Sequence, residues 1–205
     1  MSPRVTDEHK EQKKQRILEA AKGVFVRNGY RGVTMKDVID ESGLSRGGVY
    51  LYFSSTEEIF RSLIEASDDI YSSLIKQLSN DGRTAWEGVV QLVGIVMNNI
   101  VSVEDGLEAA IYEYFLVVRR KGQAQDLLKR RFRRALDNLR ILLENGVENG
   151  EFHPRFSIDE ISKFLLFFMD GVSINMINLR GEAIDLSKQA DQLILYLQQA
   201  LQVKG

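Results

Sequence analysis

Residues 34–53 read Thr34-Met35-Lys36-Asp37-Val38-Ile39-Asp40-Glu41-Ser42-Gly43-Leu44-Ser45-Arg46-Gly47-Gly48-Val49-Tyr50-Leu51-Tyr52-Phe53, and this stretch decides the fold. Thr34 precedes Asp37 at the spacing by which a hydroxyl and a carboxylate cap a helix start, so a helix begins here. Val38 and Ile39 then face inward. Gly43 allows a sharp turn after Glu41-Ser42, Leu44 can plug the corner, and Ser45 can cap the helix that follows. Two short helices joined by a glycine turn make a helix-turn-helix.

The second of these helices carries the chemistry. Val49 and Phe53 stand four apart on a face directed inward, whereas Arg46 and Tyr50, also four apart, share a different one. Gly47 and Gly48 occupy the first turn, where each costs about 1 kcal/mol relative to alanine. A helix built for packing alone would not keep both. Glycines let a backbone approach another surface closely, and the N-terminal end of a groove-inserting helix is where it meets base edges. Arg46 has two donors that guanine can accept in the major groove, and the Tyr50 ring suits a thymine methyl or a phosphate. Thr34, Lys36, Ser45 and Tyr52 are placed to hold phosphates, which fixes register rather than base preference. The plainer alternatives are a helical corner with surface glycines, a solvated Arg46, and Tyr50 or Tyr52 as core-edge aromatics with wet hydroxyls.

Residues 10–60 resemble the DNA-binding domain of the TetR family of transcriptional repressors. The matching pieces are Ile17-Leu18-Glu19-Ala20-Ala21, Phe25, Gly29-Tyr30, Thr34, Val38-Ile39, Gly43-Leu44-Ser45, Gly47, Val49-Tyr50, Tyr52-Phe53 and Glu57-Glu58-Ile59-Phe60. The resemblance implies an all-α chain of roughly nine helices, a two-fold dimer and a C-terminal domain that senses a small molecule. One departure matters. Members often carry a lysine just before the glutamate that opens the fourth helix, and Ser55-Thr56 stands there instead. That leaves the phosphate contact to Thr56, neighbouring hydroxyls and the free N–H groups of the helix end. Leu51 is apolar where many members are aromatic or polar, so it either touches the groove or is partly buried.

Composition narrows the alternatives. At 205 residues and 44% hydrophobic, the chain can bury a core of its own. The absence of cysteine removes disulfides, thiolate metal sites and thiol nucleophiles together. His9 and His153 have no evident metal or catalytic partner in sequence, so no cofactor, metal or enzymatic activity is expected. The start, MSPRVTDEHK, lacks an apolar signal segment, and no apolar run reaches the roughly 20 residues of a membrane span. The expected setting is the bacterial cytoplasm, at the nucleoid when bound to DNA. The net charge of -2 hides an asymmetry: residues 1–36 hold nine Lys or Arg against four Asp or Glu, a sign suited to a phosphate backbone.

Helical periodicity runs through the whole chain, predicting an all-α protein with helices near 7–28, 34–42, 45–53, 55–80, 84–102, 105–121, 123–149, 157–180 and 185–203. Ile17, Leu18, Ala21, Val24 and Phe25 form the buried stripe of the first. We expect a DNA-binding domain at 1–55 and a helical effector-binding and dimerisation domain at 56–205. The helix at 157–180 is apolar nearly all round, and the last offers a stripe at Leu186, Ala190, Leu193, Ile194, Leu197 and Leu201. Pairing both with their symmetry mates would give a four-helix homodimer interface.

Candidate effector contacts are aromatics that share a helix face with a polar residue: Tyr112, Phe115 and Arg119 on one helix, Phe168, Val172 and Asn175 on another, and Trp86, the single tryptophan. Core packing explains such stripes equally well. Residues 119–140 hold nine Lys or Arg against Asp126 and Asp137. This is either an anion-binding surface or a solvated face paired with acids elsewhere, with Arg119 as the arginine that could turn inward to an acidic ligand. The function expected is a homodimeric repressor released from operator DNA by a small-molecule effector. The alternatives are a DNA-binding protein without an effector, an activator, or a helical enzyme or lipid carrier with a vestigial DNA-binding domain.

Overall fold

The computed structural model describes residues 7–80, 82–101, 106–119, 125–179 and 184–203. Among the described residues every regular element is helical: α1 (Asp7–Asn28), α2 (Met35–Ser42), α3 (Arg46–Tyr50), α4 (Thr56–Asn80), α5 (Ala85–Val101), α6 (Leu107–Arg119), α7 (Gln125–Glu148), α8 (Ile158–Leu179) and α9 (Leu186–Leu201). The expected all-α class and helix order are both found. The main difference is α3, which closes at Tyr50 instead of running to residue 53. Its two glycines supply little helix propensity. Leu51 and Tyr52 form a turn, pinned by the Leu51 N–H on the Gly47 carbonyl and the Phe53 N–H on the Val49 carbonyl, both at 3.1 Å.

The chain packs as two compact units: Met1–Ser67 with Asp105–Val118, and Asp68–Glu104 with Arg119–Gly205. The boundary between these units falls inside α4. In the first unit, Ile17, Leu18, Ala21, Val24 and Phe25 of α1 are buried as the stripe predicts, together with Val38 of α2, Val49 of α3, Phe53, and Ile59, Phe60, Leu63 and Ile64 of α4. α6 joins this unit through Tyr114, which is fully buried, with its ring 4.8 Å from that of Tyr30 and 5.3 Å from that of Phe60. Burying a ring of that size explains why a helix so distant in sequence packs here.

In the second unit α5 packs against α7, α8 and α9. It turns Val89, Leu92, Val93, Met97 and Ile100 into a core completed by Leu139, Leu142 and Leu143 of α7, Ile161 and Leu165 of α8, and Leu193 and Leu197 of α9. Glu151, in the link between α7 and α8, accepts from the N–H groups of Ala85 (3.1 Å) and Trp86 (3.3 Å), satisfying the free donors at the start of α5. The same link pairs with the end of α9, where the His153 N–H meets the Leu201 carbonyl at 2.8 Å.

The apolar stripe of α9 behaves differently from expectation. Leu193, Leu197 and Leu201 are buried in the protomer's own core, so they offer nothing to a symmetry mate. α8 buries Ile161, Leu165, Met169 and Met176 but exposes Phe164, Phe167, Ile174 and Leu179. Leu195 of α9 is exposed, and the Tyr196 ring lies 4.1 Å from that of Phe164. Among the described residues no helix is long and apolar enough to cross a membrane.

Candidate DNA-binding interface

The interface is built on a turn that α1 holds in place. Gly43 ends α2 in the left-handed region at φ 63°, a conformation that glycine adopts without a steric cost. The Ser42 hydroxyl donates to the Ile39 carbonyl (3.0 Å) and accepts from the Leu44 N–H (3.3 Å). Arg16 of α1 donates its Nε–H to the Ser42 carbonyl at 2.9 Å, closing a helix end that would otherwise lack a partner. Arg27 of α1 pairs with Glu41 of α2 at 2.7 Å. The sequence reading missed Arg16, and no local signal could have found it, because its partner lies 26 residues away.

Both predicted caps form. The Thr34 hydroxyl accepts from the Asp37 N–H (3.3 Å) and donates to the Asp37 carboxylate (2.6 Å), which also receives the Thr34 N–H (2.8 Å). The Thr34 bonds, side chain first and backbone second, hold the Asp37 carboxyl below its usual pKa. The Thr34 proton is thereby committed to Asp37, leaving Thr34 a weaker phosphate donor than its hydroxyl alone suggests. The Ser45 hydroxyl accepts from the Gly48 N–H at 3.2 Å and keeps its own proton for an outside acceptor.

The two faces of α3 separate as the spacing requires. Val49 and Phe53 are buried, while Arg46 is exposed and Tyr50 is 42% exposed. The Arg46 guanidinium carbon sits 5.5 Å from the centroid of the Tyr50 ring, a cation–π distance. Leu51 is 78% exposed, which removes the alternative of partial burial. Tyr52 is half-buried and Lys36 is exposed.

The two glycines differ. A Cβ on Gly48 would lie 3.2 Å from the Ser45 hydroxyl and 3.9 Å from the Leu44 Cβ, so its small size serves the cap. A Cβ on Gly47 would meet nothing within 4 Å, and packing gives no reason for the glycine there.

At the start of α4, Glu58 accepts from both the N–H and the hydroxyl of Ser54 (2.7 Å each), and the Ser55 hydroxyl accepts from the Glu58 N–H at 3.2 Å. The Ser54 bonds, backbone first, depress the Glu58 carboxyl pKa. Thr56 is half-buried at the first position of the helix.

Sequence comparison bears on this geometry. The family model for bacterial regulatory proteins of the tetR family matches residues 17–63, and the one for the tetracyclin repressor-like C-terminal domain matches residues 89–187. YfiR, an uncharacterised HTH-type transcriptional regulator of Bacillus subtilis strain 168, is 39% identical over 203 residues, covering 98% of each chain. The chain belongs to the TetR family. It is a DNA-binding transcriptional regulator, and its α2–turn–α3 segment lies within the matched residues.

Solved TetR-like folds agree at low identity. A TetR-family transcriptional regulator from Mesorhizobium loti MAFF303099 superimposes with a TM-score of 0.76 at 17% identity, covering 94% of this chain and 96% of the other. The complex of SmeT with triclosan gives 0.69 at 18%, covering 94% and 92%; SmeT is described as the repressor of a Stenotrophomonas maltophilia multidrug efflux pump.

The structure does not gather the candidate effector residues of this TetR-family chain within one unit. Tyr112 and Phe115 belong to the first, where both are half-buried and the Phe115 ring stands 5.2 Å from that of Tyr114. Trp86, Phe168 and Val172 edge the core of the second. Asn175 is exposed and donates its amide to the Gly171 carbonyl of its own helix at 2.7 Å. The Arg119 side chain lies outside the described residues. Among the described residues no cluster of three or more potential metal ligands occurs.

Proposed function

We propose that this regulator is a homodimeric repressor that leaves its operator when a small molecule binds the helices beyond residue 55. The observation that carries the reading is the outward edge of α3: Arg46, Tyr50 and Leu51 exposed on a helix whose Val49 is fully buried. Arg46 reads guanine, and Tyr50 and Leu51 lie against thymine methyls. The backbone at Gly47 approaches the groove, with Gly48 keeping the cap compact beside it. Lys36, Ser45, Tyr52 and Thr56 hold phosphates, and Thr34 contributes less directly because its hydroxyl already bonds Asp37.

Dimerisation is supported by the exposed Phe164, Phe167, Ile174 and Leu179 of α8 with Leu195 of α9, an apolar face that water disfavours and a second copy would cover. It places two α3 helices about 34–36 Å apart on a near-palindromic site. The effector reading is supported by a protein of the same fold, SmeT, whose complex with triclosan is known. Trp86, Phe168 and Val172 are the aromatic and apolar positions offered for that molecule. The protein acts in the cytoplasm without catalysis.

A mobility-shift titration of the dimer against the DNA upstream of its own gene tests this reading. Sequence-preferring binding that weakens steeply with salt is the expected result. A folded dimer that binds every duplex equally, or none, would overturn it.

A further inference from the structure

α7 meets the second half of α4 along a polar seam in which nearly every group is satisfied. Arg134 donates Nε–H to the Ser72 hydroxyl (2.8 Å) and pairs with Asp69 (2.5 Å). Asn138 donates to the same hydroxyl at 2.9 Å, and that hydroxyl donates to the Asp68 carbonyl at 2.8 Å. Ser72 is therefore saturated. Arg131 pairs its Nε with Asp68 at 3.2 Å, but its Nη1 is shut off from solvent with no hydrogen-bond partner.

A charged donor buried without an acceptor is costly, and such groups call for a specific explanation. The Ser162 hydroxyl of α8 is the other buried side-chain atom without a hydrogen-bond partner among the described residues. α8 packs on α7.

We propose that Arg131 is the anchor for an organic acid: its Nη1 receives the carboxylate of an effector with an apolar body. This rests on the ligand-responsive reading above and names the chemical class of the ligand. Charge favours it. Residues 129–134 hold Lys129, Arg130, Arg131, Arg133 and Arg134, and Lys129, Arg130 and Arg133 are exposed. Asp68 and Asp69 on α4 offset only Arg131 and Arg134. A carboxylate therefore enters a positive field, and one free amino group suits its oxygens better than the three acceptors of a phosphate. Asp68 holds the guanidinium in place without occupying Nη1. α4 carries Asp68 and also opens beside the DNA-reading segment, so a ligand at Arg131 acts on the helix common to both roles.

The test is calorimetric titration of the full-length protein with decanoate and benzoate, each against its matched alcohol, with operator binding followed in parallel. The variants are Arg131→Gln with Asp68→Asn, which avoids stranding a lone carboxylate, and Arg131→Lys, which keeps the charge beside Asp68. Wild type is expected to prefer at least one acid over its alcohol by about tenfold, and both variants to lose most of that preference while remaining folded. A purely structural role would lower the melting temperature and leave the acid-to-alcohol ratio unchanged. Absence of saturable acid binding, equal affinity for acid and alcohol, or a preference that survives in both variants would overturn the assignment. If alcohols release the operator as well as acids, the assignment fails and ligand-responsive repression stands; a wild type that binds no operator sinks that reading instead.

Discussion

The guanidinium of Arg46 lies over the ring of Tyr50, 5.5 Å from its centroid, so the two outward side chains of α3 form a stacked pair. The ring restrains the long arginine chain and lowers the entropy lost when it engages a base. Arg46→Ala and Tyr50→Ala should each weaken operator binding by about 1–3 kcal/mol with folding and dimerisation intact. The double variant should lose less than the sum of the two, since each single change already breaks the stack. Fluorescence anisotropy on operator and scrambled duplexes measures all three, and strict additivity would show that the residues act separately.

Gly47 separates folding from binding. Because a Cβ there meets nothing within 4 Å, Gly47→Ala should stabilise the protein or leave it unchanged, within about 1 kcal/mol. Gly47→Leu should also fold, yet lose operator affinity, because its side chain fills the gap between backbone and groove. Urea denaturation and a mobility shift on the same sample check both halves; wild-type affinity in the leucine variant would refute close backbone approach.

Gly146 is a stability determinant of the second unit. A Cβ at this position would lie 2.2 Å from the Phe152 ring, which is buried to 1% exposure. Gly146→Ala should therefore cost about 3 kcal/mol, as the ring is driven out of a filled core. Pairing it with Phe152→Leu should recover part of the loss in thermal unfolding, whereas an unchanged melting temperature in the single variant would show that the ring moves freely.

Glu113 fastens α6 to the end of α1. Its carboxylate accepts the Tyr30 N–H at 2.6 Å and would lie 2.7 Å from a Cβ on Gly29, whose φ of 68° is itself a conformation that favours glycine. Glu113→Ala strands that N–H and should cost about 1–3 kcal/mol in urea denaturation. Beside it, burial and then the Glu57 charge push the Tyr30 pKa up to about 12. A raised tyrosine pKa adds stability that is complete below the ordinary value and declines as pH rises through the folded one. Burial raises the Tyr114 hydroxyl pKa as well, so tyrosine ionisation followed by ultraviolet absorbance should show these two groups titrating with alkaline unfolding.

Acid should loosen the helix caps of the DNA-binding end. Bonds from Thr34 and Ser54 lower the pKa values of Asp37 and Glu58, so their contribution is present above the unfolded carboxylate range and is lost as pH falls through the folded values. Melting temperature should hold steady above about pH 5 and fall below it. Asp37→Asn should lower the plateau and flatten that fall; a variant as steep as wild type would exclude the cap as the acid-sensitive element.

The reading edge of α3 was legible because helix geometry is local. Positions 46 and 50 share a face whatever the rest of the chain does, as do Val49 and Phe53 on the other side. The same holds for the Thr34–Asp37 and Ser45–Gly48 caps, whose partners are three residues apart. Sequence could not separate Gly47 from Gly48, since the difference lies in what stands opposite each Cβ. Nor could it decide Leu51, whose exposure depends on what the rest of the chain packs against it.

By itself, then, the sequence determined the helices, their caps, the family and the outward side of the recognition helix, all set by patterns within a few residues of chain or by the order of such patterns. Tertiary structure decided that α6 packs with the N-terminal helices through Glu113, 83 residues beyond Tyr30. It also decided that α9 spends its apolar stripe inside the protomer, and that Arg131 rather than a neighbouring arginine keeps a buried donor without an acceptor. Those facts depend on which distant segments meet, and the spacing of residues along one helix carries no information about what will be packed against it.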